Sequence, residues 1–504
     1  MDNNNSAEKV LGYFKKISSI PRGSGNEGEI CEYIENFAKE RNLSVYRDEH
    51  FNLIIKKPAS ADCGNDAKPV IIQGHLDMVC EKNADTEFDF KTQPLKLITE
   101  GDFIRASGTT LGADNGIALA YAMELMDGNY THPPLEIVLT ADEETGMTGA
   151  LLLDTSSLSG KRLINIDEET EGNFVVSCAG GVKSLVRLPL IFEETPPELT
   201  EVTVSIKGLK GGHSGFAIKK QRANANILMG RVLNHLLGKI DFRLASLNGG
   251  LKDNAIPREA VAVLYVSPAD FDKLAVLTRE IAQIIKHEYE YEDPDISVEA
   301  AVSKEEASGK AISNAASSEK NASSNAQTVT AECLGRVISL LTVIPNGVYF
   351  YDDETAKSVQ TSTNAGVMRT EGGELTIQNA VRSSVLSRKQ LLHEKIKNLA
   401  KLSGGYENSF SDYPEWERAA SSKIRDTFTS VYARMYGKKP EVSGVHAGLE
   451  CGVFSKKIGS TDMIAFGPDI FGAHTPDEKM SLSSAKRMWE FLLAVLAELA
   501  NLDT

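Results

Sequence analysis

Residues 70–80 read Val70-Ile71-Ile72-Gln73-Gly74-His75-Leu76-Asp77-Met78-Val79-Cys80. A short apolar run of this kind is a buried strand, and it stops where a histidine and an aspartate begin. The arrangement recurs. Leu135-Glu136-Ile137-Val138-Leu139 leads to Asp142-Glu143-Glu144, Leu163-Ile164-Asn165-Ile166 leads to Asp167, and Met463-Ile464-Ala465-Phe466 leads to a loop holding His474. Each strand delivers a histidine or carboxylate at its C-terminal end. In an open α/β sheet those ends share one rim, where ligands bind. Two histidines and several carboxylates on one rim form a donor set for two divalent cations, with zinc the first expectation and manganese or cobalt the alternatives. The expected class is a hydrolase.

A chain of 504 residues is too long for one ordinary core, so two or more domains are expected. Apolar and charged fractions of 41% and 25% are those of a globular protein. A net charge of −16 argues against nucleic acid and anionic membrane as partners. The opening Met1-Asp2-Asn3-Asn4-Asn5 has no basic segment followed by an apolar stretch, so a cytoplasmic protein is expected. The six cysteines are scattered without a C-x-x-C pair, as reduced thiols would be, and Cys80 reads as a packing residue.

Two amphipathic helices open the chain, with stripes at Val10, Tyr13, Phe14, Ile17 and at Ile30, Ile34, Phe37, Ala38. Residues 109–120 read as a turn around Asp114-Asn115-Gly116 that runs into a helix, Ile117–Met126. Helix and strand alternate to about residue 185, which favours a mostly parallel sheet covered by helices. Beyond Ile191 the character changes. Strand-like 201–207, 243–247 and 260–266 surround a helix at 228–236 and a Gly-rich turn, Gly208 to Gly215, that contains His213. This is an α+β pattern with helices on one side of a small sheet. Residues 301–329 read as a linker or exposed loop, and strand-like 337–343, 365–369 and 375–383 with helical 389–402 resemble a second copy of the small unit. Helices are expected again at 417–435 and 483–499. If His474 joins the site, residues 411–504 return to residues 1–186 in one discontinuous catalytic domain, and 187–410 are an insertion.

A pair of cations about 3.5–4 Å apart needs a shared ligand. Asp114, in its Gly-flanked turn, suits that bridge. His75 and Asp167 can complete one cation, and Glu144 and His474 the other. Asp77 is placed to accept the second N–H of His75 and fix its tautomer. Glu143 diverges from its neighbour Glu144 and suits a general base, taking a proton from a bridging water and returning it to the leaving amine. Singly, His-x-Asp is ordinarily a hydrogen bond and Asp-Glu-Glu a solvated charge run; recurrence at successive strand ends makes the functional case. His50, His132, His235, His287 and His393 lack such surroundings and read as structural or surface residues.

The motifs Gly-His75-Leu-Asp77-Met-Val-Cys, Gly-Ala-Asp114-Asn-Gly-Ile, Asp-Glu143-Glu144-Thr-Gly-Met, Asn-Ile-Asp167-Glu-Glu, Gly-Gly-His213-Ser-Gly and Gly-Ala-His474-Thr-Pro resemble the dinuclear zinc superfamily of carboxypeptidases, aminoacylases and dipeptidases. Met78-Val79-Cys80-Glu81-Lys82, Asp253-Asn254-Ala255-Ile256-Pro257-Arg258 and His446-Ala447-Gly448-Leu449-Glu450-Cys451-Gly452 resemble one branch, the aminoacyl-histidine dipeptidases. The resemblance spans essentially the whole chain except 301–329. It implies the same metal ligands and base, an inserted lid or dimerisation domain that could make a homodimer, and His213 acting on the substrate carbonyl or oxyanion. It also implies Asn254 and Arg369 as substrate contacts, Arg369 for the C-terminal carboxylate. The expected activity is hydrolysis of unblocked dipeptides, Xaa-His included. An N-acyl-amino-acid deacylase, tripeptidase or carboxypeptidase on the same scaffold is the alternative. A non-catalytic metal-binding protein is more remote, because Glu143 and every ligand are retained.

Overall fold

The computed structural model describes residues 3–64, 66–302, 326–352, 358–459 and 461–502. In chain order the first segment holds α1 (Asn3–Ile17), α2 (Gly28–Lys39), β1 (Ser44–Arg47), β2 (Leu53–Lys57), β3 (Val70–His75), β4 (Leu97–Glu100), β5 (Phe103–Ala106), α3 (Ala113–Asp127), β6 (Leu135–Thr140), α4 (Thr148–Leu152), β7 (Arg162–Asn165) and β8 (Asn173–Cys178). The middle holds β9 (Gly180–Pro189), β10 (Phe192–Glu194), β11 (Thr200–Lys207), β12 (Gly212–His213), α5 (Ala225–Leu236), β13 (Phe242–Gly249), β14 (Ala255–Ile256), β15 (Ala260–Val266), α6 (Phe271–Glu288) and β16 (Ser297–Val302). It continues with β17 (Gln327–Val329), α7 (Ala331–Val343), β18 (Gly347–Tyr351), β19 (Val359–Glu371), β20 (Glu374–Ser383), α8 (Leu386–Leu402) and β21 (Tyr406–Tyr413). The last segment holds α9 (Lys423–Tyr436), β22 (Glu441–Val445), α10 (Glu450–Lys457), β23 (Asp462–Ala465), β24 (Ile470–Phe471), β25 (Lys479–Ser481) and α11 (Leu482–Leu499).

Packing divides the chain into two compact units, one built from residues up to Cys178 and from Pro414 onward, the other from Ala179–Tyr413. The break falls at Ala179 rather than 187 because all of β9 is a strand of the second unit's sheet, paired with β20 and β21. Most of the 301–329 stretch lies outside the described residues; its ends, however, belong to β16 and β17 rather than to a linker.

The first unit is an eight-stranded sheet in the order β1-β2-β6-β3-β7-β23-β8-β22. β3 runs parallel to β6 and β7, and β7 parallel to β23. The mixed sheet is thus mostly parallel, with antiparallel β1 and β2 at one edge. β3 and β6 are buried along their whole length, which is why Val70-Ile71-Ile72 and Ile137-Val138-Leu139 run without polar alternation. Burial of each such Val, Leu or Ile contributes roughly 1.5–3 kcal/mol. The stripes of α1 and α2 are buried at Val10, Phe14, Ile17 and at Ile30, Ile34, Phe37, Ala38. α9 begins at Lys423, not 417, because the Ser422 side chain accepts the N–H of Arg425 and caps the helix there.

The second unit contains an eleven-stranded antiparallel sheet whose main path is β16-β11-β15-β13-β19-β20-β9-β21. The run 337–343, expected as a strand, is the C-terminal half of helix α7. Cys333, Leu334, Val337, Ile338 and Leu341 are all buried, a spacing of three and four that sets one helix face. With that correction the repeat is plain. β16-β11-β15-β13 and β21-β9-β20-β19 are two four-strand halves, each accompanied by two helices, α5 with α6 and α7 with α8. They meet at the pairing of Gly249 with Met368. Among the described residues no helix is long and apolar enough to cross a membrane.

Candidate metal centre

Parallel register sets the first donors. Gln73 of β3 pairs with Asn165 of β7, and His75 with Thr140 of β6. His75 therefore ends its strand beside the loop that carries Asp142–Glu144 and two residues' reach from Asp167. β23 extends the same parallel set, and the turn between β24 and β25 carries His474. Asp114 comes from the start of α3, which can approach β3 because Gly74 has no side chain: a Cβ there would lie 2.5 Å from Asn115 Oδ1 and 2.6 Å from the Ala118 Cβ. The helix begins four residues before the expected Ile117, but Asp114 and Asn115 have non-helical dihedrals and are joined by a cis peptide bond.

Asp114 stands between the two histidines. His75 Nε2 is 3.1 Å from its Oδ1, and His474 Nε2 is 3.1 Å from its Oδ2. His75 Nε2 also lies 3.5 Å from Asp167 Oδ1, and His474 Nε2 lies 3.0 Å from Glu144 Oε1. Ligating atoms of His75, Asp114 and Glu144 all fall within 4.8 Å of one another. The structure thus gathers all five expected ligands. Asp77 accepts from His75 Nδ1 at 3.2 Å and also from Ser24 Oγ, Glu143 N and Glu144 N at 2.7, 3.0 and 3.2 Å. It therefore orients the imidazole and anchors the acidic loop at once.

The groups of the cluster shift one another's protonation. Burial would lower the His75 pKa, but Asp114, Asp167 and Asp77 raise it well above the usual value. Hydrogen bonds with Asp114 and Glu144 raise His474 to about 11. Burial pushes Asp167 up to about 7 against the pull of His75, and it also raises Glu143. For Asp77, burial is outweighed by its bonds from His75, Ser24 and Glu143, which hold it down to about 2. The cluster thus sets five carboxyl groups, Asp77, Asp114, Glu143, Glu144 and Asp167, around two imidazoles. This hard-oxygen and imidazole donor set fits divalent cations.

Sequence reasoning did not find the supports. Glu478 accepts the N–H groups of Leu111, Gly112 and Ala113 at 2.7, 2.9 and 2.7 Å, fixing the turn before Asp114. Buried Arg22 donates to the carbonyls of Leu76, Asp77 and Gly112. Asn115 accepts from His75 N at 3.1 Å and donates to Asp167 Oδ1 at 3.0 Å. The one local signal was Glu478 lying four residues beyond His474.

His213, Asn254 and Arg369 lie in the second unit. β12 pairs with β14, so His213 sits opposite Ala255, and Ser214 N donates to the Asn254 carbonyl at 2.8 Å. His213 Nδ1 accepts from Gly215 N at 3.1 Å. Burial and the charge of Arg382 lower the His213 pKa, favouring neutral imidazole. The Arg369 guanidinium donates to the carbonyls of Gly249, Met368 and Gly250 and so pins the turn after β13. Arg382 donates to Tyr413 Oη at 2.8 Å and pairs with no carboxylate among the described residues. All six cysteines are free thiols.

Residues 71–498 match the model of peptidase family M20/M25/M40. The chain is 37% identical over 495 residues to the cytosol non-specific dipeptidase of Escherichia coli, covering 98% of each. It superposes on the crystal structure of aminoacylhistidine dipeptidase from Vibrio alginolyticus with a TM-score of 0.87 and 36% identity, covering 97% of this chain and 96% of that one. The aminopeptidase PepT structure from Bacillus cereus, 16% identical with a TM-score of 0.54 and coverage of 98% and 99%, shares the fold. A rim of histidines and carboxylates on this scaffold, matched along nearly its whole length, makes the chain a hydrolase of peptide bonds that belongs to peptidase family M20/M25/M40.

Proposed function

We propose that this chain is a dinuclear metallo-dipeptidase acting on unblocked dipeptides, Xaa-His among them. The observation that carries the reading is Asp114, whose two oxygens each face a different histidine. The full-length similarity to two proteins named as dipeptidases supports the substrate class. His75, Asp114 and Asp167 would hold one cation and Asp114, Glu144 and His474 the other. Bound there, two divalent cations would polarise the scissile carbonyl and lower the pKa of a water to about 7.

Glu143 is the general base. Asp77 fixes its backbone, while among the described residues its carboxylate forms none of the short contacts of the cluster, leaving it available to a proton. It takes a proton from the attacking water and returns it to the leaving amine. Burial raises its pKa and so strengthens it as a proton acceptor. Because His213 Nδ1 accepts from Gly215, its proton sits on Nε2, which donates to the oxyanion of the tetrahedral intermediate. Asn254 stays a substrate contact in this reading. Arg382 takes the place of Arg369 as the group for the substrate carboxylate in this reading, since of the two it is Arg369 whose guanidinium is spent on backbone carbonyls.

The test is a panel of free dipeptides, N-acetyl amino acids and tripeptides, assayed on metal-stripped protein with zinc, manganese and cobalt each restored. Fast turnover confined to free dipeptides is the expected result. Preference for an N-acetyl amino acid would move the chain to the deacylase reading.

A further inference from the structure

The motif His446-Ala447-Gly448-Leu449-Glu450-Cys451-Gly452 has no part in the chemistry above, yet its glutamate is fully buried in the first unit. Glu450 opens α10. Its Oε2 accepts from Gln73 Nε2 and, at 2.7 Å, from Thr140 Oγ1. Gln73 Oε1 in turn accepts from Asn165 Nδ2 at 2.6 Å. All four side chains are fully buried.

These contacts run directly beneath the metal centre. Gln73 is two residues before His75 and Asn165 two before Asp167, so each shares a sheet face with the donor that follows it. Thr140 stands opposite His75 and ends the strand that leads to Glu143 and Glu144. The chain of bonds also has a direction. Oε2 of Glu450 receives two donors, so Gln73 must turn its NH2 toward it, which leaves the Gln73 carbonyl for Asn165. Glu450 Oε1, meanwhile, has no hydrogen-bond partner among the described residues and no exposure. A buried oxygen left unpaired costs free energy, and packing alone gives no reason to place a carboxyl group there.

We propose that Glu450 is a positioning residue for the metal centre. It fixes the amide of Gln73 and thereby holds the ends of β6, β3 and β7 at the spacing that Glu144, His75 and Asp167 require. The inference rests on the assignment of those three as cation donors.

The experiment titrates metal-stripped protein with zinc by calorimetry, and measures kcat and KM on alanyl-histidine and the Tm alongside. Glu450→Leu should weaken zinc binding by about 10–100-fold and lower kcat more than it changes KM. Glu450→Gln keeps an oxygen that can accept from Gln73 and Thr140, and should restore the affinity. Gln73→Met removes the same contact from the other side; it should weaken zinc binding likewise and carries the test if Glu450→Leu does not fold. Wild-type zinc affinity in Glu450→Leu and Gln73→Met, with only a lower Tm, overturns the positioning role while the metal centre stands. A wild-type protein that takes up no zinc, manganese or cobalt overturns the metal centre, and this role with it.

Discussion

His474 Nε2 lies 3.0 Å from Glu144 Oε1 across 330 residues of sequence. Pairing β23 with β7 makes this contact possible, because it adds the last segment of the chain to the sheet begun by the first. The site is therefore complete only when the two segments of the first unit have folded together. His474→Ala should lower zinc content from two atoms per chain and depress activity with it. Metal analysis of the purified variant checks this; two zinc atoms at full activity would remove His474 from the site.

Glu143→Gln should retain both cations and lose about 10²–10⁴-fold in kcat, the usual cost of a missing general base. The expectation follows from its position, since Asp77 holds its N–H while its carboxylate stays clear of the cluster's short contacts. Zinc content measured beside steady-state kinetics decides it, and normal turnover at full occupancy would exclude the role.

His213→Ala should leave zinc content unchanged, because the residue belongs to the other unit. A donor to an oxyanion acts only in the transition state, so kcat should fall more than KM rises. A histidine that merely shaped its Gly-rich turn would change Tm and leave kcat alone.

The two arginines give opposite expectations. Arg382→Met should raise KM for free dipeptides, with little effect on dipeptide amides, which lack the carboxylate. Arg369→Met should lower Tm, since three backbone carbonyls lose their donor, and should affect both substrates alike. Equal discrimination by the two variants would argue against Arg382 as the carboxylate reader.

Burial pushes the Glu450 carboxyl from 4.5 up to about 8, Asp167 and Asp77 adding to the shift while His75 and the Thr140 bond oppose it. A raised folded value means that the stabilising contribution is complete below about 4.5 and is lost as pH rises through about 8. Glu450→Gln has no such titration. In metal-free protein, the Tm of the variant relative to wild type should therefore climb between those two values and level off above. Thermal unfolding at constant ionic strength measures it, and a difference independent of pH would contradict the shift.

Much of the fold was legible because its signals are local. Continuous apolar runs marked β3, β6, β7 and β23, and a change to alternating patterns announced the second unit. The errors came where local signals are ambiguous. Residues 337–343 are rich in Val, Ile and Leu, a composition shared by strands and buried helices, and only Cys333 and Leu334 upstream reveal the helical spacing. Residues 417–421 carry helix-compatible side chains, so composition extends α9 too far upstream, and the cap at Ser422 sets its true start.

By itself the sequence determined the donor inventory. A histidine or carboxylate directly after an apolar strand must emerge at the strand's C-terminal end, and strand direction in a parallel set is common to all its members. Only the tertiary structure decided which groups those donors meet. Asp114 faces two histidines, Glu478 holds the turn before it, Arg369 is spent on backbone carbonyls while Arg382 is not, and Glu450 lies under Gln73. The physical reason is that a hydrogen bond is a matter of a few tenths of an ångström between atoms whose residues lie up to hundreds of positions apart. Strand register, helix approach and the glycine that admits it set those distances, and none of the three is written in the identity of the donor.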